Sequence, residues 1–255
     1  MALSLVVVIP VKDDATALRR CLELLDAQTR RATEVVIVDN GSTDDSAAVA
    51  RAHGARVVAE PRPGIPAAAS TGYDAALTGT HGMDVIVRCD ADSEPPADWL
   101  ERIHTAFVDD PALQALTGQG DFTDIPRWRA ATIGRLYLHS YYLTMGAALA
   151  NHPLWGSNMA MRAGAWARVQ HHVHREDPEL HDDVDLSFCL GPTARIRYDR
   201  TLRVGVSGRS LRGGSLLRRR FVRAFRTLAV NWRDMPPWRR WETRVRDGAR
   251  APNVR

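Results

Sequence analysis

Residues 84–100 read DVIVRCDADSEPPADWL, and the order of its parts decides how the rest of the chain is to be read. Asp84 to Arg88 is a short, β-branched run of the kind that fills a buried strand, and Asp90 and Asp92 follow it one residue apart. In extended backbone, residues two apart point the same way, so both carboxylates are expected on one side while Ala91 packs away. Carboxylates this close repel and raise one another's pKa unless a cation joins them. Mg²⁺ or Mn²⁺ suits that position, because such hard ions keep several waters, use one or two carboxylates and take their other ligands from substrate phosphates. An isolated D-x-D says little. This one lies between a strand and PPADWL, which opens a helix, and its weight comes from that position.

Working outward, further strand runs are expected at Leu3 to Ile9, Glu34 to Val38, Arg56 to Glu60 and Leu113 to Thr117. Between them, ATALRRCLELLDAQ (15–28) has helical spacing through Leu18, Cys21, Leu22 and Leu25. DDSAAVARAHG (44–54) starts acidic and stops at Gly54, and PAAASTGYDAAL (66–77) is alanine-rich. The βαβαβαβ alternation predicts an α/β fold with a mostly parallel sheet and helices on both faces. In such sheets ligands bind outside the carboxyl ends of the strands, so the residues just after each run are the ones to read for chemistry. After Asp121 the pattern changes to a long apolar and aromatic helix, about Arg127 to Asn151, then WGSNMAMRAGAW (155–166), a His-rich loop and HDDVDLSF (181–188). This divides the chain into a domain over 1–210, with halves 1–120 and 121–210, and an Arg-rich extension over 211–255. The extension holds an amphipathic helix and a loose tail beyond Pro237.

A chain of 255 residues, 45% hydrophobic and 25% charged, can bury one large core. Cys21, Cys89 and Cys189 are odd in number and far apart, which supports neither a disulfide framework nor a zinc site and fits a reducing, cytoplasmic setting. The N-terminal run has no basic leader and is too short to span a bilayer, and no later run is long enough either. The net charge of +4 hides an asymmetry: from Arg195 onward the chain carries +14, and residues 1–194 carry −10. The two parts either neutralise each other, or the basic end meets an anionic surface.

Strand one ends in Pro10, Val11, Lys12, Asp13 and Asp14. A dinucleotide-binding domain needs G-x-G-x-x-G there, so nicotinamide binding is disfavoured. Strand two ends in VDNGSTDDS (38–46), where Asp39 is placed either to accept hydrogen bonds from a base or ribose or to serve the turn and helix cap. Asp182, Asp183 and Asp185 in HDDVDLSF offer a general base for an attacking hydroxyl, or equally an acidic helix N-terminus. His171, His172, His174 and His181 lack the second ligand cluster that a zinc site requires. Tyr137, Tyr141 and Tyr142 read as core more than as a platform for an acceptor.

Together these landmarks resemble the inverting family 2 glycosyltransferases of the GT-A fold. VVVIPVKDD (6–14) looks like their opening strand, VVIVDNGSTDDS (35–46) is similar to V-I-V-D-D-G-S-x-D-x-T, and CDADSEPPADWL (89–100) to their D-A-D with a proline-rich helix start. GSNMAMRAGAW (156–166) and HDDVDLSF extend the likeness to about residue 190. The resemblance implies a nucleotide-sugar site formed by Pro10, Val11, Asp14, Asp39, Asp90, Ala91 and Asp92, with Asp90 and Asp92 on Mn²⁺ or Mg²⁺. It implies an acceptor and sugar site at Trp155, Gly156 and Asn158, and catalysis by Asp183, with Asp182 where the family has glutamate. The donor would be a UDP- or GDP-linked sugar, and the acceptor a sugar, a lipid-linked or a small-molecule hydroxyl. Departures are also present. GIPAAASTG (64–72) lacks the Arg-Asn that often precedes its last glycine, so diphosphate binding leans on the metal or on Arg88. No histidine follows His181, and Ser207 and Arg209 stand in that region, where an arginine fork would suit phosphate.

The helix expected over 215–232 suits two arrangements. It can lie in an anionic membrane surface, which would make the protein peripheral at the inner membrane face, or pack its arginines on the acidic part of the chain. Competing functions are a nucleotidyltransferase, which wants a glycine- and lysine-rich phosphate loop after strand one, and a catalytically silent binding module on the same fold. The tail holds no recognisable nucleic-acid-reading motif.

Overall fold

The computed structural model describes residues 3–78, 84–124, 135–208 and 214–248. Seven strands form one sheet: β1 (Leu5–Val11), β2 (Glu34–Asp39), β3 (Arg56–Ala59), β4 (Val85–Arg88), β5 (Ala115–Phe122), β6 (Met159–Arg162) and β7 (Ile196–Val206). Their order is β3-β2-β1-β4-β6-β5-β7. β1 pairs in parallel with β2 and β4, β2 with β3, and β5 with β7, while β6 runs antiparallel to both β4 and β5. The first five strands lie where the alternating pattern predicts them, give or take two residues except at the far end of β5. β6 was not expected: MAMR has no β-branched residue, and only its burial between two neighbours makes it a strand.

The sheet separates two apolar layers, as period-two alternation along β1 requires. Val7 and Ile9 face α1 (Ala15–Asp26) and α4 (Trp99–Asp109), in a layer with Leu18, Leu22, Trp99 and Ile103. Val6, Val8 and Ile86 face α3 (Ile65–Leu77), α6 (Ala163–Val169) and α7 (Asp182–Leu190), with Tyr73, Trp166 and Leu186. α3 comes close because of Gly72, where a Cβ would fall 2.3 Å from Val8 Cγ1 and 2.8 Å from Val38 Cγ2. The short α2 (Ser46–Ala52) completes the first half.

A third cluster joins α5 (Arg135–Leu149), α7 and α8 (Gly214–Asn231) through Leu149, Phe188 and Leu228. The long helix expected from about Arg127 is described from Arg135 onward, residues 125–134 lying outside the described residues. Tyr142 is buried there, stacked on Tyr198 at 3.9 Å, and Tyr141 donates to Leu154 O at 2.7 Å, which is the core role; the Tyr137 side chain lies outside what is described. The stretch beyond Pro237, expected to trail loosely, instead forms α9 (Pro237–Gly248). Its anchor is Arg240, buried, which donates to Leu149 O at 2.8 Å and Phe188 O at 3.3 Å, the terminal carbonyls of α5 and α7. Trp232 and Trp241 donate their indole N–H groups to Ala148 O and Ala147 O beside it. No helix of the described residues is long and apolar enough to cross a membrane.

Candidate active site

Because β1, β2 and β4 are parallel, the residues that follow them emerge along one edge of the sheet. The antiparallel β6 starts at that same edge. Its register pairs Arg88 with Met159, so the chain leaving β4 at Asp90 runs opposite the chain entering β6 at Ser157. The Ser157 hydroxyl accordingly donates to Asp90 Oδ2, and the preceding Gly156 N–H donates to Asp183 Oδ2 at 2.9 Å. Two adjacent residues thus hold the first aspartate of the D-x-D and the aspartate expected to act as base. Asp183 Oδ1 also accepts the Val184 N–H at 2.8 Å, and Ser187 Oγ bonds the Asp183 carbonyl.

Arg88 lies beneath this pair. It continues the face that carries Ile86 and is 2% exposed. Its guanidinium donates to Asp182, to Tyr73 Oη at 3.2 Å and to Asp90 Oδ1 at 3.4 Å. Burial alone would lower its pKa, yet the neighbouring charges, Asp182 foremost, raise it well above the usual value, so it stays protonated. Burial likewise pushes the Asp182 carboxyl up, against the pull of Arg88, while Asp183 adds to the rise. Arg88 was expected to face a diphosphate. The structure directs it to these carboxylates.

The D-x-D backbone is not extended: Ala91 and Asp92 form a turn in which Ser93 N bonds Asp90 O at 3.0 Å and Ser93 Oγ accepts the Asp90 N–H at 3.0 Å. The alternation argument for two aligned carboxylates therefore fails at this point, although Ala91 is buried as expected. Among the described residues no group of three or more His, Cys, Asp or Glu side chains is placed to hold a metal. A donor set of two carboxylates fits a hard divalent ion that draws its other ligands from water and phosphate, and does not fit a closed structural metal site. Two of the histidines are accounted for: His174 Nδ1 meets Asp185 at 2.8 Å, and His181 Nε2 meets Arg220 O at 3.1 Å.

Near the first two strands, Val11 is buried and Pro10 and Asp14 half-buried. Asp39 Oδ1 accepts the Ser42 N–H at 2.9 Å, the turn role. Asp13 holds φ at 49°, which aspartate tolerates better than most residues, and accepts Thr43 N–H at 2.6 Å and Thr43 Oγ1 at 3.0 Å, bonds that lower its pKa. Asn40 fastens the loop after β3, donating to Glu60 O and Arg62 O and accepting from Gly64 N. Asn158, expected to floor the sugar, is 0% exposed: its Nδ2 bonds Gln119 O and Leu202 O, and its Oδ1 accepts from Trp99 Nε1. It ties the end of the sheet together. Trp155 is half-buried against the α1 and α4 layer and Ser207 Oγ bonds Asp124, while Arg209 lies outside the described residues.

A family model described as Glycosyl transferase family 2 matches residues 6–168, more than half of the chain. The chain belongs to that family. A curated relative, an uncharacterised glycosyltransferase of Mycobacterium tuberculosis strain H37Rv, is 38% identical over 97 residues, 38% of this chain and 40% of the relative, so the match spans well under half of each. Among solved structures, glucosyl-3-phosphoglycerate synthase of M. tuberculosis, solved with Mn²⁺, UDP and glucosyl-3-phosphoglycerate, aligns with a TM-score of 0.60 at 19% identity, covering 89% of this chain and 79% of that one. A mannosyltransferase from Pyrobaculum calidifontis, solved with GDP-Man and Mn²⁺, gives a TM-score of 0.62 at 21% identity, covering 85% and 60%. At these identities the likeness establishes the fold, which is that of the GT-A glycosyltransferases. This family 2 member thus has the α/β architecture its sequence predicts.

Sequence reasoning overlooked Ser157 and Tyr73, which hold Asp90 and Arg88, and Asn231, which donates to Asp185 at 2.8 Å from α8. Ser157 sits inside a motif already singled out. The other two join the site only through packing.

Proposed function

We propose that this family 2 protein transfers a sugar from a UDP- or GDP-linked donor to an acceptor hydroxyl, with inversion at the anomeric carbon and Asp183 as general base. One observation carries the reading: Gly156 and Ser157 bring Asp183 and Asp90 to a single edge of the sheet, where a donor would lie. Both Asp183 oxygens accept backbone N–H groups, which fixes the direction of the side chain, and each oxygen keeps a second lone pair for a hydroxyl proton. Asp90 and Asp92 would hold Mn²⁺ or Mg²⁺, whose chemistry is to neutralise charge on a departing nucleoside diphosphate. Pro10, Val11, Asp14 and Asp39 would line the nucleotide pocket, and Trp155 and Gly156 the acceptor side. Two solved structures of the same fold were obtained with Mn²⁺ and a uridine or guanosine nucleotide, which supports the choice of donor class.

The basic extension fits a second element of this reading. On the side of α8 that meets the domain, Arg219 and Arg223 pair with Glu179, and Arg226 with Asp177. Phe221, Val222 and Phe225 remain exposed, Phe225 at 68%, on a stretch with no acidic residue. We place that apolar stripe, with the exposed Arg218 on the same side of the helix, against an anionic phospholipid surface, so that a lipid-linked acceptor is presented to the enzyme from the inner membrane face.

A thermal-shift panel of nucleotide sugars, each with Mn²⁺ and with EDTA, tests the donor assignment. A rise in melting temperature with one donor in Mn²⁺, absent in EDTA and absent in Asp92→Ala, is expected. A panel with no metal-dependent shift would remove the assignment.

A further inference from the structure

Arg88 presents a problem that the proposed reaction does not by itself explain. It is the one arginine among the buried residues of the described strands, its Nε has no hydrogen-bond partner there, and a desolvated guanidinium costs more than an apolar residue of the same size. Its three contacts come from three different segments: Tyr73 on α3, Asp90 just after β4 and, from the other half of the chain, Asp182 at the start of α7. The glycine above it is fixed by its presence. A Cβ on Gly156 would fall 2.8 Å from the Arg88 Cζ and Nη2 and 3.0 Å from Nη1, so the guanidinium lies directly under the residue that donates to Asp183.

Resting on the reading of this site as a sugar-transfer site, we propose that Arg88 is a positioning residue: it sets the separation between Asp90 and the Asp182–Asp183 end of α7, acting through Asp182 and the Gly156 backbone, and does not touch the donor. Asp182 on this view is the partner of Arg88 and takes no proton from the acceptor. The cation supplies a fixed positive charge below the D-x-D whether or not a divalent ion is bound. It thereby keeps α7 docked while the donor enters and the nucleoside diphosphate leaves.

The experiment compares Arg88→Met, Arg88→Lys, Asp182→Asn and the double variant Arg88→Met/Asp182→Asn in the full chain. UDP and GDP binding with Mn²⁺ is followed by calorimetry, stability by urea unfolding, and transfer by kcat and KM. A misplaced base should cost roughly 100-fold in kcat. For Arg88→Met we expect that loss with the donor KM and nucleotide Kd within about threefold of wild type, which separates positioning from ground-state binding. Arg88→Lys should recover part of kcat, and the double variant should be no slower than the worse single variant, because both act through one contact. Nucleotide affinity falling in step with kcat would show direct contact with the diphosphate, and multiplicative losses in the double variant would show independent roles; either overturns the proposal. So does a folded Arg88→Met with wild-type kcat. If Arg88→Met does not fold, Arg88→Lys and Asp182→Asn decide by the same criteria. Should the wild-type chain transfer no sugar, the functional reading fails by itself, while coupling between Arg88 and Asp182 in unfolding still tests the pair. Additive stabilities would then sink it.

Discussion

The backbone N–H of Gly156 donates to Asp183 Oδ2 at 2.9 Å, which joins the entry of β6 to the start of α7. A bond of this kind fixes the direction in which the carboxylate points. Asp183→Asn keeps the shape of the side chain and removes its basicity. We expect nucleotide binding to be retained and transfer to fall by about 10²–10⁴-fold, read by calorimetry beside a turnover assay. Turnover near that of the wild type would move the base to another residue.

The same glycine has no room for a methyl group. In Gly156→Ala the new Cβ meets the Arg88 guanidinium, which Asp182, Asp90 and Tyr73 hold in place. Overpacking of this kind costs about 1–3 kcal/mol. A drop of that size in urea unfolding, together with loss of transfer, is expected, and a variant as stable and active as the wild type would show that the guanidinium is free to yield.

Acid should loosen the loop after β3. Hydrogen bonds from Arg62 first, then Thr71, hold the buried Glu60 carboxyl at about 2, below its ordinary value of 4.5. Because the folded value is the depressed one, the stabilisation is complete above about pH 4.5 and is lost as pH falls through about 2. Glu60→Gln should therefore cost about 1–2 kcal/mol at pH 7, a figure reduced for the exposure of Arg62, and the gap from wild type should close toward pH 2. Unfolding curves at pH 7, 4 and 2.5 would show it; a gap independent of pH would argue against the ion pair.

Membrane contact has its own measurement. Phe221→Ser/Phe225→Ser removes exposed aromatic surface from α8 without touching Arg219, Arg223 or Arg226. We expect wild-type protein to sediment with vesicles containing phosphatidylglycerol more than with phosphatidylcholine alone, an effect weakened by salt, and the double variant to bind about tenfold less. Indifference to lipid charge or to the substitutions would leave the helix with its packing role alone.

The sequence by itself determined the doubly wound half of this protein and the acidic residues at its strand ends. Runs of valine and isoleucine along β1, β2 and β4, broken by helical spacing, admit few arrangements, and a parallel sheet delivers Asp14, Asp39 and Asp90 to one edge whatever surrounds it. The basic helix was legible too, but its partners were not, since an amphipathic stripe is the same whether it meets lipid or protein. Tertiary structure decided what depends on pairing between distant segments. MAMR became a central antiparallel strand because two neighbours bury it, that strand's register sets Ser157 against Asp90, and the packing of α7 on the sheet brings Asp183 to Gly156. Arg88 reads on the page as a cation at the end of a strand, free to reach solvent and phosphate. Inside the fold, α3 and α7 close over it, and burial directs its charge to Asp182, with Tyr73 and Asp90 beside it, in place of solvent.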